Sequence, residues 1–130
     1  MFNFSEYKSV GDYLIKIDEQ SYLRSGISRY YYSLFNPVRF YLFFVLQEFD
    51  LIRGKDSHKR ICDRLIESND DTENALGLIL DELRQLRNDA DYNWNLNYDY
   101  FFQRLNDVVS NLEAGFDYLN ALKTSPPFEL

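Results

Sequence analysis

Residues 27–35 read ISRYYYSLF, and this stretch decides the fold that the rest of the chain supports. Its apolar side chains recur at the spacing of one helical face, yet Arg29 lies close to that face. A second stretch, LRNDADY at residues 86–92, repeats the combination with Arg87 and Asp91 beside apolar positions. A charge near a hydrophobic core requires a partner or a function, because its burial is otherwise unfavourable. The functional site is therefore expected at these two stretches.

Helical spacing of apolar residues predicts five helical segments along the chain. They are residues 5–17, residues 21–49, a short segment that begins near Ser57, a segment that begins near Thr72, and residues 100–122. Pro37 lies inside the second segment, and since proline removes a helical hydrogen bond, a kink or break is expected near Asn36. No alternating apolar pattern is long enough to predict a sheet. The predicted fold class is all-α, a four-to-five-helix up-and-down bundle.

Length and composition indicate one folded, acidic domain. The chain has 130 residues, of which 45% are hydrophobic and 18% aromatic, which is enough to build a single core. We expect one domain at residues 1–123 and a C-terminal tail at 124–130. The formal net charge is −7, so the chain does not bind nucleic acid through bulk counterion release. Any RNA contact needs a local basic patch or a more basic partner.

Cysteine and histidine usage excludes several classes of site. A single Cys62 and a single His58 exclude a disulfide framework and a Cys/His zinc site, so no metal and no cofactor are expected. A lone cysteine fits a reducing compartment. The first residues do not resemble a signal peptide, and the longest apolar stretch, residues 40–46, is too short to span a bilayer. A cytoplasmic protein without a membrane partner is predicted.

Three motifs together resemble the HEPN superfamily, the higher eukaryotes and prokaryotes nucleotide-binding domains. Residues 86–92 are similar to its signature, and their Arg-x-x-Ala-Asp-Tyr ending is that of one small prokaryotic branch. Residues 27–35 resemble the Arg-x-Tyr-Tyr-Ala helix of that branch, and Ser-His-Lys at residues 57–59 resembles its third helix start. The resemblance covers roughly residues 21–122.

This resemblance implies a helical bundle that is commonly a homodimer packed through its two long helices. In catalytic members it implies metal-independent RNA cleavage, in which an Arg and a His from each subunit form one composite site. The Arg stabilises the developing charge and the His moves protons. On this basis Arg87 and Tyr92 are the candidate catalytic residues. Arg87, Asn88 and Arg84 are the candidate ligand-binding residues.

Tyr92 occupies the position at which a catalytic member has histidine. A phenol with an ordinary pKa near 10 is a poor proton shuttle at neutral pH. His58 is the only imidazole, and it would replace the missing group only if the fold carried it to Arg87. Its distance in sequence favours a surface position at a helix start instead.

The charged and aromatic residues also have structural interpretations. Arg29 and Asp91 are expected to pair as a clamp between the second and fourth helices. Alternatively, Arg87 and Asp91 pair with each other, because they are four residues apart on one helical face. Tyr31 and Tyr32 are expected to be core or interface rings rather than a base-stacking platform.

Three functional hypotheses follow. The first is an HEPN-like binding or regulatory component of a prokaryotic toxin–antitoxin or phage-defence module, with RNA or nucleotide held at Arg87 and Asn88. It is expected to form a homodimer that places Arg87 and Tyr92 near the subunit boundary. It is also expected to meet a nucleotidyltransferase-type or other protein partner, which would make Tyr92 a candidate for nucleotidylation. The second is a metal-independent ribonuclease in which Tyr92 or His58 handles protons. The third is a helical assembly subunit without a ligand.

Overall fold

The computed structural model describes residues 3–52 and 56–124, and all regular secondary structure in those ranges is helical. Five α-helices have ten residues or more and one is short: α1 (Ser5–Leu14), α2 (Gln20–Phe40), α3 (Ser57–Ile66), α4 (Asp71–Tyr92), α5 (Tyr98–Phe102) and α6 (Leu105–Thr124). The predicted all-helical bundle is confirmed. Of the predicted tail, Thr124 belongs to α6, and residues 125–130 lie outside the described ranges.

The proline in α2 does not break the helix where the sequence predicted. α2 continues through Pro37 to Phe40, so the expected break near Asn36 is wrong. Leu34, Phe35 and Val38 are fully buried around the proline, and this packing keeps the helix continuous despite the missing hydrogen bond. The distortion comes one turn later, in a π-helical turn at Tyr41–Val45, followed by a 3₁₀ turn at Phe49–Ile52.

The last predicted helix is divided in two. Residues 103 and 104 form a turn between α5 and α6, where the Arg104 N–H donates to the carbonyl of Phe101 at 3.1 Å. This bond spans three residues instead of four and tightens the chain. The Arg104 guanidinium also donates to the Tyr100 carbonyl at 2.6 Å, which satisfies a helix-end acceptor. The apolar periodicity continues across the turn, so it does not reveal the division.

The three long helices form the centre of the bundle. α2 packs against α1, α4 and α6, while α4 also packs against α3 and α6. The apolar faces of α2 and α4 supply most of the largest fully buried side chains, and α5 adds Phe101: Tyr30, Tyr31, Phe35, Ile27, Leu34, Leu76 and Leu80 come from the two long helices. Hydrophobic burial on these faces is the main stabilising contribution.

Gly77 allows α3 to approach α4 closely. A Cβ atom at this position would lie 2.7 Å from the Leu65 Cβ and 2.8 Å from the Ile66 backbone nitrogen. Neither atom belongs to a flexible side-chain end, so the contact requires glycine. The close approach fixes the C-terminal end of α3 against α4, while His58 at its other end contacts Tyr31 and Phe35 of α2.

Two arginines connect elements that are distant in sequence. Arg24 in α2 closes the C-terminal end of α4, where its Nη1 donates to the carbonyls of Asp89, Ala90 and Asn93 at 3.2, 3.1 and 3.0 Å. Its Nη2 donates to the carbonyl of Leu96 in the following loop. Four backbone carbonyls near the helix end therefore accept from one side chain.

Arg64 in α3 holds the segment that follows α2. Its Nε and Nη2 pair with the two carboxylate oxygens of Glu48 at 2.8 and 2.9 Å, and its Nη1 pairs with Glu73 of α4 at 2.7 Å. Such a bidentate pair is stronger and more directional than an ordinary surface ion pair.

Within residues 3–52 and 56–124, no helix is both long and apolar enough to cross a membrane.

Candidate functional site

Arg87 is a buried cation in the interior of α4. Only 8% of the residue is exposed, and its guanidinium carbon lies 5.1 Å from the Tyr31 ring centroid and 5.3 Å from that of Tyr32. The faces of both rings attract the cation. The predicted helical pair with Asp91 is confirmed, with Nη1 and Oδ2 separated by 3.5 Å. The charged residue that the sequence places beside an apolar helical face is therefore buried in the structure.

The hydrogen bonding of Arg87 is incomplete. Its Nε is fully buried and has no hydrogen-bond partner, and it is the only such side-chain atom among the described residues. A buried donor without an acceptor costs the desolvation energy of the group. The ion pair of Arg87 with Asp91 is long, at 3.5 Å, so the guanidinium is only partly compensated, and this favours an anionic oxygen at its terminal nitrogens.

His58 lies beside Arg87 in the folded chain. The imidazole stacks on Phe35 with centroids 4.1 Å apart and planes inclined by 5°. Its Nδ1 is 2.7 Å from the Tyr31 hydroxyl oxygen, so the same tyrosine contacts both His58 and Arg87. His58 does lie at a helix start, but it is half-buried against α2, so the expectation of a plain surface residue is wrong.

The charges around His58 keep it neutral. Burial, followed by the guanidinium groups of Arg87, Arg39 and Arg84, lowers the pKa of His58 to about 4. Burial also raises the pKa of Tyr31 well above its ordinary value. At neutral pH the cluster therefore offers a neutral imidazole and a protonated phenol beside cationic guanidinium groups.

The nearby thiol is inert. Burial raises the pKa of Cys62 to about 12, so it remains a thiol at neutral pH and is not an activated nucleophile.

The other predicted ligand residues occupy the edge of this cluster. Arg84 donates from Nε and Nη2 to the same Asp81 oxygen at 3.0 and 2.8 Å, so part of its charge is compensated within α4. Asn88 is half-buried and makes no side-chain hydrogen bond with a described residue. Arg39, which the sequence analysis did not select, is exposed, and its guanidinium carbon lies 5.7 Å from the Phe35 ring. We define the basic cluster as Arg39, His58, Arg84 and Arg87.

Tyr92 does not belong to the basic cluster of its own chain. It is the last residue of α4 and is 74% exposed. Five helical steps separate it from Arg87, which corresponds to a rotation of about 140° around the helix. The fold therefore brings Arg87 to His58 and leaves the predicted catalytic tyrosine on the surface.

The predicted clamp between Arg29 and Asp91 is wrong. The Arg29 guanidinium carbon lies 5.4 Å from the Tyr7 ring of α1, and no ion pair between described residues joins it to Asp91. Asp91 pairs with Arg87 and is 3.5 Å from the hydroxyl of Ser28. Arg29 contacts α1, whereas Ser28, which is about 100° away around the helix, faces Asp91 of α4. Tyr31 is a core ring as predicted, and Tyr32 is partly buried against it.

A cleft elsewhere on α4 lacks the chemistry of the basic cluster. It has a volume of about 270 Å³ and lies between α4, α5 and α6, with Glu82, Asp89 and Asp107 among its lining residues. Its one lining arginine, Arg104, lies 3.5 Å from the Tyr100 ring centroid. Three carboxylates against one cation do not favour an anion, and no lining atom is a buried donor without a partner. We therefore place the candidate site at the basic cluster and not in this cleft.

Sequence reasoning missed the residues that organise the site. Phe35 supports the imidazole, and the Tyr31 hydroxyl binds it. The spacing of these two residues, four apart on one helical face, is a signal of packing and does not by itself indicate what they pack against.

The described residues contain no group of three or more His, Cys, Asp or Glu side chains that could hold a metal ion. No protein-family model, no curated protein and no solved structure matches the chain. The site must therefore be interpreted from its own geometry.

Proposed function

We propose that this chain is an HEPN-like domain that binds the phosphate group of an RNA or a nucleotide at the basic cluster. In this role it acts as a binding or regulatory component of a prokaryotic toxin–antitoxin or phage-defence module. The observation that carries the proposal is the nearly buried Arg87, whose charge is compensated only in part by one 3.5 Å ion pair with Asp91. The sequence motifs that resemble HEPN supply the biological context.

A phosphate fits this cluster better than other anions that are smaller or less charged. The planar guanidinium of Arg87 offers several N–H donors, a geometry that matches phosphate oxygens. Arg39 is not paired with a described carboxylate, and with Arg87 it contributes to the potential that lowers the pKa of His58. The local positive charge contrasts with the net charge of −7 for the whole chain. A specific anion site is therefore a better explanation than a general affinity for nucleic acid.

Binding is favoured over cleavage because the cluster lacks a suitable proton donor. General acid–base catalysis works best with groups whose pKa lies near the working pH. The pKa of His58 is lowered to about 4 by burial and by nearby arginines, and the pKa of Tyr31 is raised by burial. A ribonuclease remains the second candidate because His58 and Arg87 contact the same tyrosine, Tyr31, and such an activity would require the two groups to be close together.

The binding proposal is tested by titrating the protein with a fluorescent single-stranded RNA and with a nucleoside monophosphate. Arg87→Met keeps an unbranched apolar stem and removes the guanidinium group with its charge. We expect it to weaken binding at least tenfold, since a charged hydrogen bond is lost. Arg104→Met is the matched control, because Arg104 also lies over a tyrosine ring but outside the cluster. Equal affinities for wild type and Arg87→Met would refute the proposal.

The ribonuclease candidate is tested on the same proteins. RNA is incubated with the wild type in EDTA, and the products are examined for cyclic phosphate ends. Cleavage that is abolished in both Arg87→Met and His58→Asn, but retained in Arg104→Met, would establish the second candidate in place of the first. If the wild type cleaves RNA no faster than Arg87→Met and His58→Asn do, the result supports the binding proposal.

We also propose that the protein works as a homodimer with a further protein partner, for which a nucleotidyltransferase-type protein is a candidate. Exposed apolar side chains support an interface: Phe44 is 59% exposed, Val45 51% and Tyr92 74%. Sedimentation equilibrium of the wild type tests the dimer, and a monomer at all concentrations up to the micromolar range contradicts it. Arg87→Met that leaves every binding property unchanged would instead favour an assembly subunit without a ligand.

A further inference from the structure

The hydrogen bond between Tyr31 and His58 determines which imidazole nitrogen carries the proton. The Tyr31 hydroxyl oxygen and the His58 Nδ1 lie 2.7 Å apart, and either group is able to donate in such a bond. The direction matters, because a neutral imidazole has only one N–H. It decides whether the other nitrogen, Nε2, donates or accepts.

The surroundings of Tyr31 resolve the direction. Tyr31 is 0% exposed, and within residues 3–52 and 56–124 its hydroxyl contacts no hydrogen-bond acceptor other than His58. If Nδ1 donated, the hydroxyl proton would be buried without an acceptor, at the full desolvation cost of that group. The favourable arrangement is therefore that Tyr31 donates and Nδ1 accepts. Burial raises the pKa of Tyr31, so the phenol keeps the proton that this arrangement needs.

The proton of the neutral imidazole consequently lies on Nε2. This nitrogen has no hydrogen-bond partner among the described residues, and it is not among their fully buried atoms. The stack on Phe35, with its 4.1 Å centroid distance, fixes the plane of the ring. Nε2–H is thus an oriented donor that a ligand is able to reach.

We infer that Tyr31 is a positioning residue that holds His58 as an Nε2–H donor, so that Arg87 and His58 together recognise an unprotonated phosphate oxygen. The inference rests on the proposed function, because it names His58 as the second donor that binds the phosphate together with Arg87. It also gives His58 a role opposite to that of a general base, since a protonated Nε2 has no free electron pair.

The tautomer is measurable without a ligand. The chain has one histidine, so a protein labelled with ¹⁵N-histidine gives a single pair of ring nitrogen signals. At pH 7 we expect a pyrrole-type signal from Nε2 and a pyridine-type signal from Nδ1. The reverse assignment in the wild type would overturn the inference, whatever the variants do.

Two variants separate the hydroxyl from the aromatic packing. Tyr31→Phe removes the donor to Nδ1 and keeps the ring, so we expect the signals to move toward a mixture of the two tautomers. Tyr32→Phe is the matched control, because Tyr32 contacts the imidazole edge-on, with centroids 5.9 Å apart, and is not its hydrogen-bond partner. If Tyr31→Phe leaves the wild-type tautomer unchanged, Tyr31 is not the positioning residue. If this variant does not fold, the wild-type spectrum still decides.

Inorganic phosphate then tests the ligand. At constant ionic strength set with chloride, phosphate is expected to shift the Nε2 signal of wild type and of Tyr32→Phe, with affinity reduced threefold to tenfold in Tyr31→Phe. An Nε2–H tautomer with no response to phosphate would overturn the proposed function while leaving the hydrogen-bond direction intact. A reversed tautomer with normal phosphate binding would overturn only the inference.

Discussion

The state of His58 predicts how the stability of the protein depends on pH. Burial and the neighbouring arginines lower the pKa of His58 to about 4 in the folded chain, against about 6.5 in an unfolded chain. Between these values the unfolded chain binds the proton more readily, so the free energy of unfolding falls as the pH falls. The contribution of His58 is complete above about pH 6.5 and is lost by about pH 4.

The magnitude follows from that difference in pKa. At about 1.4 kcal/mol per pH unit, it corresponds to roughly 3 kcal/mol. The ring is only half-buried, and water screens part of the effect, so we expect about 1–2 kcal/mol. Burial lowers the pKa of His58 most, followed by the charges of Arg87 in α4, Arg39 in α2 and Arg84 in α4.

The measurement is urea unfolding of the wild type and of His58→Asn at several pH values between 4 and 7.5. The asparagine side chain is able to accept from Tyr31 near the position of Nδ1 but does not titrate. Carboxylates titrate in both proteins, so the difference between the two free energies isolates His58. We expect that difference to shrink by about 1–2 kcal/mol as the pH falls from 6.5 to 4. A difference that is independent of pH would refute the reasoning about this residue.

Three further substitutions test the framework of the bundle by urea unfolding. Gly77→Ala introduces a Cβ only 2.7 Å from Leu65, so we expect the free energy of unfolding to fall by about 1–3 kcal/mol. Phosphate binding should also weaken, because α3 must shift. An unchanged free energy of unfolding would contradict the close approach of α3 and α4. Leu112→Ala empties a fully buried position and is expected to cost about 2–5 kcal/mol, whereas a loss below 1 kcal/mol would place Leu112 outside the core. Arg24→Met removes the side-chain hydrogen bonds to the carbonyls of Asp89, Ala90 and Asn93 at the end of α4, so we expect the free energy of unfolding to fall by about 1–3 kcal/mol and amide exchange in residues 93–97 to become faster; protected amides there would contradict the capping role.

The helices were largely predictable because they depend on local spacing. Apolar residues recur at helical intervals in α4 and in α6, although α4 begins at Asp71, one residue before the predicted Thr72, because Asp70 accepts from the Glu73 N–H. The continuity of α2 through Pro37 was not predictable, because it depends on the packing of distant side chains. The turn at residues 103 and 104 was hidden for a similar reason, since the apolar pattern continues across it.

The site was predictable only in part. Arg87 stands out in the sequence because it interrupts an apolar face, and the structure places it in the interior. Whether Arg87 and His58 come close together depends on how closely α3 packs on α4, and this packing cannot be predicted from the separation of the two residues in the sequence. The error about Arg29 has the same origin, because the periodicity shows that a residue lies near a face but not which neighbouring helix it meets.

The Arg24 cap also has a consequence for how the chain is synthesised. Arg24 precedes its carbonyl partners by 65 to 72 positions, so it leaves the ribosome long before they do. Before Asp89 emerges, this guanidinium has none of those acceptors, and the last of them, in the loop after α4, arrives only with Leu96. The nascent chain therefore makes these hydrogen bonds late, after most of α4 has been translated. On a ribosome stalled before that point, α1 and α2 would lack the hydrogen bonds that Arg24 makes to the end of α4.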